Sequence, residues 1–426
     1  MSAVNPAHVA TWSIAAIAVL GVVTRPRNWP EAWWAVSGAI ALVLCSLISL
    51  SEALTAIQKG SDVYLFLIGM MVLAQLARRE GLFDWLAFYA LKHAKGSASR
   101  LFLQIYAVGA LVTIFLSNDA TAVVLTPAVY AAARQAKAPP LPYLLICAFI
   151  ANAASFVLPI SNPANLIVFG DKMPALESWL AEFGAASVVA IISTYLLLRF
   201  TQRNRLLGRV AEAASQPTLP LEGRIAAGAI ALTAVALLVA SMRGWRLGLP
   251  TCACGLTAWL VIAVLKRDSP WPVVGKISWS ILPLVAGLFV LVQGVESTGV
   301  LAPLIHGASA QAHRVPQLTA LVVGSLVAIG SNLMNNLPMG LLAATVANGA
   351  QLPAQIRGAL LIGVDLGPNL SVTGSLATIL WLVAIRREGE DVGTGQFLAV
   401  GSFVMPLALL ASLASFIAFG TLWTRS

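Results

Sequence analysis

The sequence predicts an all-α polytopic membrane protein with two inverted-topology repeats, each holding a re-entrant hairpin and a broken transmembrane helix. Three observations predict it. Hydrophobic residues make up 59% of the 426 and charged residues only 10%, against roughly 25% charged in a soluble domain. Apolar runs recur along the chain, so no single leader or anchor explains them. Two further stretches are too long for simple spans, and segments of the two halves align with each other.

Apolar runs of membrane-crossing length lie at 9–24, 32–50, 62–77, 141–169, 179–200, 225–242, 248–265, 278–298, 354–382 and 396–422. The stretch 101–133 carries one charge, Asp119, and the 42 residues from Val315 to Ile356 carry none. As straight helices they would measure roughly 50 and 63 Å, against a hydrocarbon core of about 30 Å. Each must therefore fold back on itself. Lys92, Lys95 and Arg100 precede the first stretch, and Arg134 and Lys137 follow it. Basic loops face the cytoplasm, so both ends of 101–133 are cytoplasmic and the segment is a re-entrant hairpin.

With this threading 19 of the 26 Lys and Arg residues face inward and both termini lie outside. Seven face outward: Lys59, Lys172, Arg243, Arg246, Arg314, Arg357 and Arg425. The net charge of +9 thus reports topology and not an affinity for nucleic acid.

The polar stretch TQRNRLLGRVAEAASQPTLPLEGR divides the chain. The expected organisation is N-terminal transmembrane helices at 1–61, a first inverted repeat at 62–200, a cytoplasmic linker at 201–224, connecting transmembrane helices at 225–279 and a second inverted repeat at 280–426. The halves align. Gly69/Gly287, Val72/Val290, Leu73/Leu291, Gln75/Gln293, Gly81/Gly299 and Leu86/Leu304 are identical at an offset of 218. Asn118-Asp119 aligns with Asn335-Asn336 at 217, and Asn152 with Asp365 and Asn165 with Thr378 at 213. The first repeat starts outside and the second inside, which is the signature of an alternating-access secondary transporter.

Four breaks carry the polar residues. Two are hairpin tips, SNDAT (117–121) and SNLMNNLP (331–338), and two interrupt crossings, PISNPAN (159–165) and GPNLSVTGSLAT (367–378). Pro or Gly interrupts each helix, and Asn, Ser or Thr can cap the fragments. Asn118, Asn335 and Asn336 offer donor and acceptor together at the tips. Ser117, Thr121, Asn152, Ser161, Asn369 and Thr373 are secondary candidates, and for Ser117, Ser161, Ser371 and Thr373 capping is an equal explanation. Asp119 and Asp365 are the carboxylates of these motifs. A charged Asp at a helix centre costs about 2.5–3.5 kcal/mol on insertion scales, so a coupling role, as proton carrier or Na⁺ ligand, explains them better than packing. No Lys or Arg lies within the four breaks. A neutral or cationic solute fits such a lining more naturally than an anion.

Absences narrow the classes. There is no Walker A stretch, no H-E-x-x-H and no G-x-S-x-G, so neither ATP hydrolysis nor an intramembrane hydrolase is expected, and no cofactor is implied. The four cysteines read as apolar packing residues. Cys252-x-Cys254 lacks the further ligands that a metal site needs. A passive channel or scaffold is the alternative from another class.

FLSNDATAVVLTPAV, ISNPANLIVFG, NNLPMGL and GVDLGPNLSVTGSLATILWL resemble the bacterial arsenite/antimonite efflux permeases of the ion transporter superfamily, over about residues 30 to 422. The resemblance implies a transport domain on a scaffold in the bacterial inner membrane, and export of trivalent metalloid in exchange for protons. It also implies, in some members, a separate arsenite-stimulated ATPase subunit on the cytoplasmic face. Arsenite and antimonite are neutral trihydroxides at pH 7. A ring of Asn118, Asn162, Asn165, Asn335, Asn336, Ser375 and Thr378 would hold them by hydrogen bonds of about 0.5–1.5 kcal/mol each, with Asp119 and Asp365 coupling protons. The shorter SND and SNP motifs are shared with the related citrate, dicarboxylate and Na⁺/H⁺ transporters, so a Na⁺/H⁺ antiporter or organic-anion transporter is the alternative within the superfamily.

Overall fold

The computed structural model describes residues 5–211, 218–267 and 271–423, which are helical with no strand among them. Eight helices among the described residues are long and apolar enough to cross a membrane, or nine if one bent pair counts as a single span. Three helices come first: α1 (Pro6–Thr24), α2 (Glu31–Leu44) and α3 (Leu50–Lys59). The crossing expected at 32–50 therefore ends at Leu44. Ser49 starts a new helix through a capping box: its Oγ accepts from Glu52 N, and Glu52 Oε2 accepts from Ser49 N at 2.9 Å.

The first repeat runs through α4 (Ser61–Arg79), α5 (Leu82–His93), α6 (Ala98–Phe115), α7 (Asn118–Ala120), α8 (Thr126–Gln135), α9 (Leu141–Ala153), α10 (Pro163–Phe169) and α11 (Leu176–Gln202). Then come α12 (Leu221–Met242), α13 (Gly248–Lys266) and α14 (Trp271–Val274). The second repeat comprises α15 (Ile281–Ser297), α16 (Ala302–Arg314), α17 (Pro316–Met334), α18 (Asn336–Gly349), α19 (Ala354–Leu366), α20 (Leu376–Arg387) and α21 (Thr394–Trp423). The elements recur in order: a span, a short arm, a hairpin, a helix that stops short, a short helix and a long one. The arms α5 and α16 begin at Gly81 (φ 74°) and Gly299 (φ 73°), a left-handed turn that glycine makes without steric cost. At the second of these turns the chain bends by 84°.

The segment 98–135 does fold back. Val210 N donates to Gly96 O at 3.0 Å and Ala211 N to Ala136 O at 2.8 Å. Consecutive linker residues thus touch both ends of the hairpin. The rest of the expected linker includes 212–217, which lie outside the described residues. In the second repeat, Gly349 at the end of α18 packs on Ile305 of the arm that leads into α17.

Equivalent helices of the two repeats run antiparallel. The start of α4 meets the end of α15: Lys59 Nζ, just before α4, donates to Gln293 Oε1 at 2.8 Å, and the Tyr64 and Phe289 rings lie edge to face. Further along, Met71 and Gln75 of α4 share a cavity with Ser278 and Ile281 at the start of α15. In the same sense Phe183 stacks on Phe416 and Phe200 on Phe403 along α11 and α21, with Ser412 Oγ donating to Ala186 O at 3.0 Å. A two-fold axis lying across the helices produces this arrangement, so the repeats are inverted.

Each first helix leans on a parallel partner. For α4 this is α13: Gly248 N donates to Asp62 Oδ1 at 2.9 Å near their starts, and Lys266 Nζ donates to Glu80 Oε2 at 2.6 Å at their ends. Gly69 and Gly255 let the two backbones touch between those points, the close approach by which membrane helices associate. For α15 the partner is α2, with Gly287 against Ala35 and Gly294 against Leu42.

Candidate functional site

The hairpin tips are sharp pivots. Ser117 (φ 134°) and Asn335 (φ 75°) both take left-handed backbone, where a non-glycine residue is strained. Their side chains then cap the next helix: Ser117 Oγ accepts from Ala120 N, and Asn335 Oδ1 accepts from Leu337 N, each at 3.4 Å. The pivots stand 218 residues apart, which corrects the tip alignment by one. Asn118 matches Asn336, not Asn335, and Asp119 matches Leu337. The hydroxyls of Thr113 and Thr121 meet at 2.8 Å across the first tip. Beyond it a wide π-type turn over Thr121–Leu125 accommodates Pro127, which has no N–H to continue the ladder.

The interrupted crossings keep the offset of 213. Asn152 and Asp365 are each the last residue but one of α9 and α19, and Asn162 and Ser375 cap α10 and α20. The caps reach across. Asn162 Nδ2 donates to Asp365 Oδ1 at 2.7 Å, and Ser375 Oγ donates to Asn152 Oδ1 at 3.2 Å. Residues 162 and 365 become 375 and 152 when the repeats exchange, so each bond is the two-fold image of the other. Asn152 Nδ2 also donates to Asn369 Oδ1 at 3.0 Å, and Asn369 Nδ2 to Phe149 O at 3.0 Å. All five of these side chains lie at 1% exposure or less. Hairpins and breaks also cross: the turn after the first tip packs on α20, while α18 packs on α10.

Several candidates are occupied by bracing. Asn165 Nδ2 donates to the carbonyls of Ser155, Leu158 and Pro159 at 2.9, 3.2 and 3.3 Å. Thr378 Oγ1 donates to Val372 O at 2.8 Å. Ser161 Oγ donates to Ile114 O at 2.9 Å, and Thr373 Oγ1 to Asn332 O at 3.2 Å. Ile114 and Asn332 are equivalent at 218, so each broken segment hangs from the carbonyl three residues before the pivot.

Asn332 itself, which the sequence reading passed over within the tip motif, laces the second break. Its Nδ2 donates to Ala328 O and Gly367 O at 2.8 and 2.9 Å, and its Oδ1 accepts from Ser371 N and Oγ at 3.1 and 2.8 Å. Only its place one turn before a pivot could have singled it out.

Three buried side-chain oxygens in this region have no hydrogen-bond partner: Asn165 Oδ1, Asn336 Oδ1 and Asp365 Oδ2. They sit on α10, α18 and α19, three helices that pack against one another pairwise. Buried polar atoms are rarely left in this state without a reason. Asp119 differs: it is half-buried, and it lines a narrow cavity of about 40 Å³ with Ser117, Gln75 and Ser278. Arg357 also departs from the sequence reading. It is buried at the start of α19, not exposed in an outer loop, and its Nη1 donates to Asn348 Oδ1 at 3.0 Å. Eight residues separate it from Asp365, about 12 Å along the helix, so it closes the end of α18 and does not pair with the carboxylate at the crossing.

The sequence matches a family model described as citrate transporter over residues 18–364. It is 25% identical to an arsenical pump membrane protein of Escherichia coli K12, covering 95% of this chain and 97% of that one. A Yersinia enterocolitica arsenical pump membrane protein is 26% identical, with coverage of 95% and 97%. An uncharacterized transporter of Synechocystis is also 26% identical, with coverage of 90% and 91%. The crystal structure of the Alcanivorax borkumensis YdaH transporter, described as having an unusual topology, superposes with a TM-score of 0.53 at 16% identity, covering 88% of this chain and 87% of that one.

Proposed function

This chain belongs to the citrate transporter family, and from that premise we propose that it is a secondary active transporter exporting trivalent arsenite or antimonite in exchange for protons. It is a multi-pass transporter of the bacterial inner membrane. One observation carries the finer reading: the three unpartnered acceptor oxygens of Asn165, Asn336 and Asp365 on mutually packed helices. A neutral trihydroxide brings three O–H donors, one for each. A tricarboxylate would bring its own oxygens against three oxygens, and Arg357 stands too far off to compensate.

Asn118, Asn162, Asn335 and Ser375 supply further amide and hydroxyl partners, and Asn152 and Asn369 hold the crossing in shape. Bonds of about 0.5–1.5 kcal/mol each suit a carrier, which must also release. Asp365 is the coupling group at the crossing, and Asp119 serves the proton from the first tip. Protonation from outside competes with metalloid, so each proton entering expels cargo. Relatives named as arsenical pumps support this choice of cargo. A cytoplasmic ATPase partner remains part of the proposal only as the resemblance implies it.

The second reading, Na⁺/H⁺ antiport, has the same three oxygens as cation ligands. Arsenite accumulation in everted membrane vesicles with an acid interior separates the two. Uptake driven by the proton gradient and indifferent to Na⁺ is expected. Proton flux that needs Na⁺ and ignores arsenite would replace the metalloid reading.

A further inference from the structure

Gln75 and Gln293 are identical at the repeat offset, yet the crossing of the four breaks uses neither. Each is a polar side chain in an otherwise apolar stretch of the first helix of its repeat. Because α4 and α15 run antiparallel, the two amides lie towards opposite ends of the molecule. Gln75 lines the 40 Å³ cavity beside Ser117 and Asp119 at the first hairpin tip, where Pro163 opens α10. Gln293 lines a cavity of about 830 Å³ whose walls include Phe169 at the other end of α10, and Thr345 and Asn348 of α18. Lys59, Lys172 and Arg246 border that large cavity, and the charge asymmetry assigns all three to the outer face. The two cavities thus approach the same short helix from opposite ends, one wide and one nearly shut.

We propose that Gln75 and Gln293 are the paired mouth residues of the transport pathway, each offering the first and last polar contact to a neutral hydroxylated solute on its own side. The structure is open at the Gln293 mouth and closed at the Gln75 mouth. Exchange of the two repeat conformations opens a matching vestibule at Gln75 and collapses the one at Gln293. Lys59, which donates to Gln293 Oε1 at 2.8 Å, orients the outer amide so that its Nε2 donor faces the solute. Gln75 has no such lysine among the residues lining its cavity, so the inner mouth depends on the amide alone. The opposed placement rests on the inverted fold and the sidedness on the charge asymmetry, and only the identity of the solute rests on the metalloid reading.

The test uses single Gln75→Cys and Gln293→Cys variants of the full chain, with Cys45, Cys147, Cys252 and Cys254 replaced by Ser, and a membrane-impermeant maleimide applied from either face. Gln293→Cys is expected to react from outside and Gln75→Cys from the cytoplasmic face. A condition that raises labelling at one must lower it at the other. Reaction of both from one face, or parallel changes in both, would overturn the proposal. Arsenite and a proton gradient should drive the opposed changes. If Na⁺ drives them instead, the mouths stand and the metalloid reading falls. As a second measurement, Gln75→Leu should raise the KM for arsenite uptake into everted vesicles about three- to tenfold, as expected for one lost hydrogen bond. Gln293→Leu should raise the corresponding KM to a similar extent when arsenite is presented to the outer face, in right-side-out vesicles. An unchanged KM in Gln75→Leu would remove the inner mouth from the pathway.

Discussion

Asp365→Asn should abolish proton-driven accumulation of arsenite while the protein still folds and inserts. The substitution keeps the size and planarity of the side chain, and the Oδ1 that accepts from Asn162 Nδ2 at 2.7 Å has a direct replacement. What disappears is the ability to take up and release a proton at a position that is 0% exposed, together with the Oδ2 acceptor for one metalloid hydroxyl, whose loss weakens binding without itself uncoupling the cycle. On the proposed mechanism, accumulation against a gradient falls at least about 100-fold, the scale of losing a group that the transport cycle cannot bypass. Equilibration of arsenite down its own gradient survives. Asp365→Leu behaves differently, because it strands the Asn162 amide as a buried donor at a cost of about 1–3 kcal/mol and lowers yield as well. Full proton-driven accumulation by Asp365→Asn would transfer the coupling role to Asp119, for which Asp119→Asn is the matching test.

Gly363→Val should prevent assembly of the second repeat. Gly363 lies in α19 two residues before Asp365, and a methyl group there would run into the carbonyl oxygen of Gly324 in α17. Gly324 in turn leaves room for Ala359 O, at 2.8 Å from where its own methyl group would lie, and Gly367 for Ala328. A stripe of small residues brings the two backbones together. A valine must push α17 away from α19, and overpacking of this kind typically costs about 1–3 kcal/mol in a core that can give. Here backbone meets backbone, so little can give. The expected result is loss of detergent-stable protein from the membrane fraction. Gly184→Val, at a position with nothing within 4 Å of the added carbon, should be harmless in the same assay.

Much of this architecture was legible because the bilayer imposes length and charge rules on a chain. Apolar stretches of about 50 and 63 Å, the first with Asp119 as its one charge and the second with none, had to turn back in a hydrocarbon core of about 30 Å, and they do so at Ser117 and Asn335. Offset identities such as Gly81/Gly299 were visible because only glycine makes that turn cheaply. The α3 helix was missed because its residues, Ser51, Glu52, Gln58 and Lys59 among them, are too polar to register as a crossing, and a Ser49–Glu52 capping box carries little weight in a hydropathy scan. The tip register slipped by one because Asn is repeated at 335 and 336, and the similarity of Asp119 to Asn336 favoured the wrong copy. The pivot geometry decides it.

The crossed bonds of Asn162 with Asp365 and of Ser375 with Asn152 could not be read in advance. Such pairs join residues more than 200 positions apart and depend on how the two repeats dock. Similarly, Asn165 and Thr378 were correctly placed at the breaks, but nothing in the sequence said that most of their hydrogen-bonding capacity is spent on local carbonyls. Burial of Arg357 was hidden by its position at the edge of an apolar run, where a loop residue and a helix-closing residue look alike.

The most direct test of the central claim is to locate the cargo. Crystals of the purified protein soaked in antimonite would be measured near an antimony absorption edge, so that anomalous scattering marks the metalloid. The account predicts a single dominant peak at the crossing, within hydrogen-bonding reach of Asn165, Asn336 and Asp365, and its loss in Asp365→Leu. A dominant peak at Cys252 and Cys254, or none at the crossing under conditions that support transport, would contradict it.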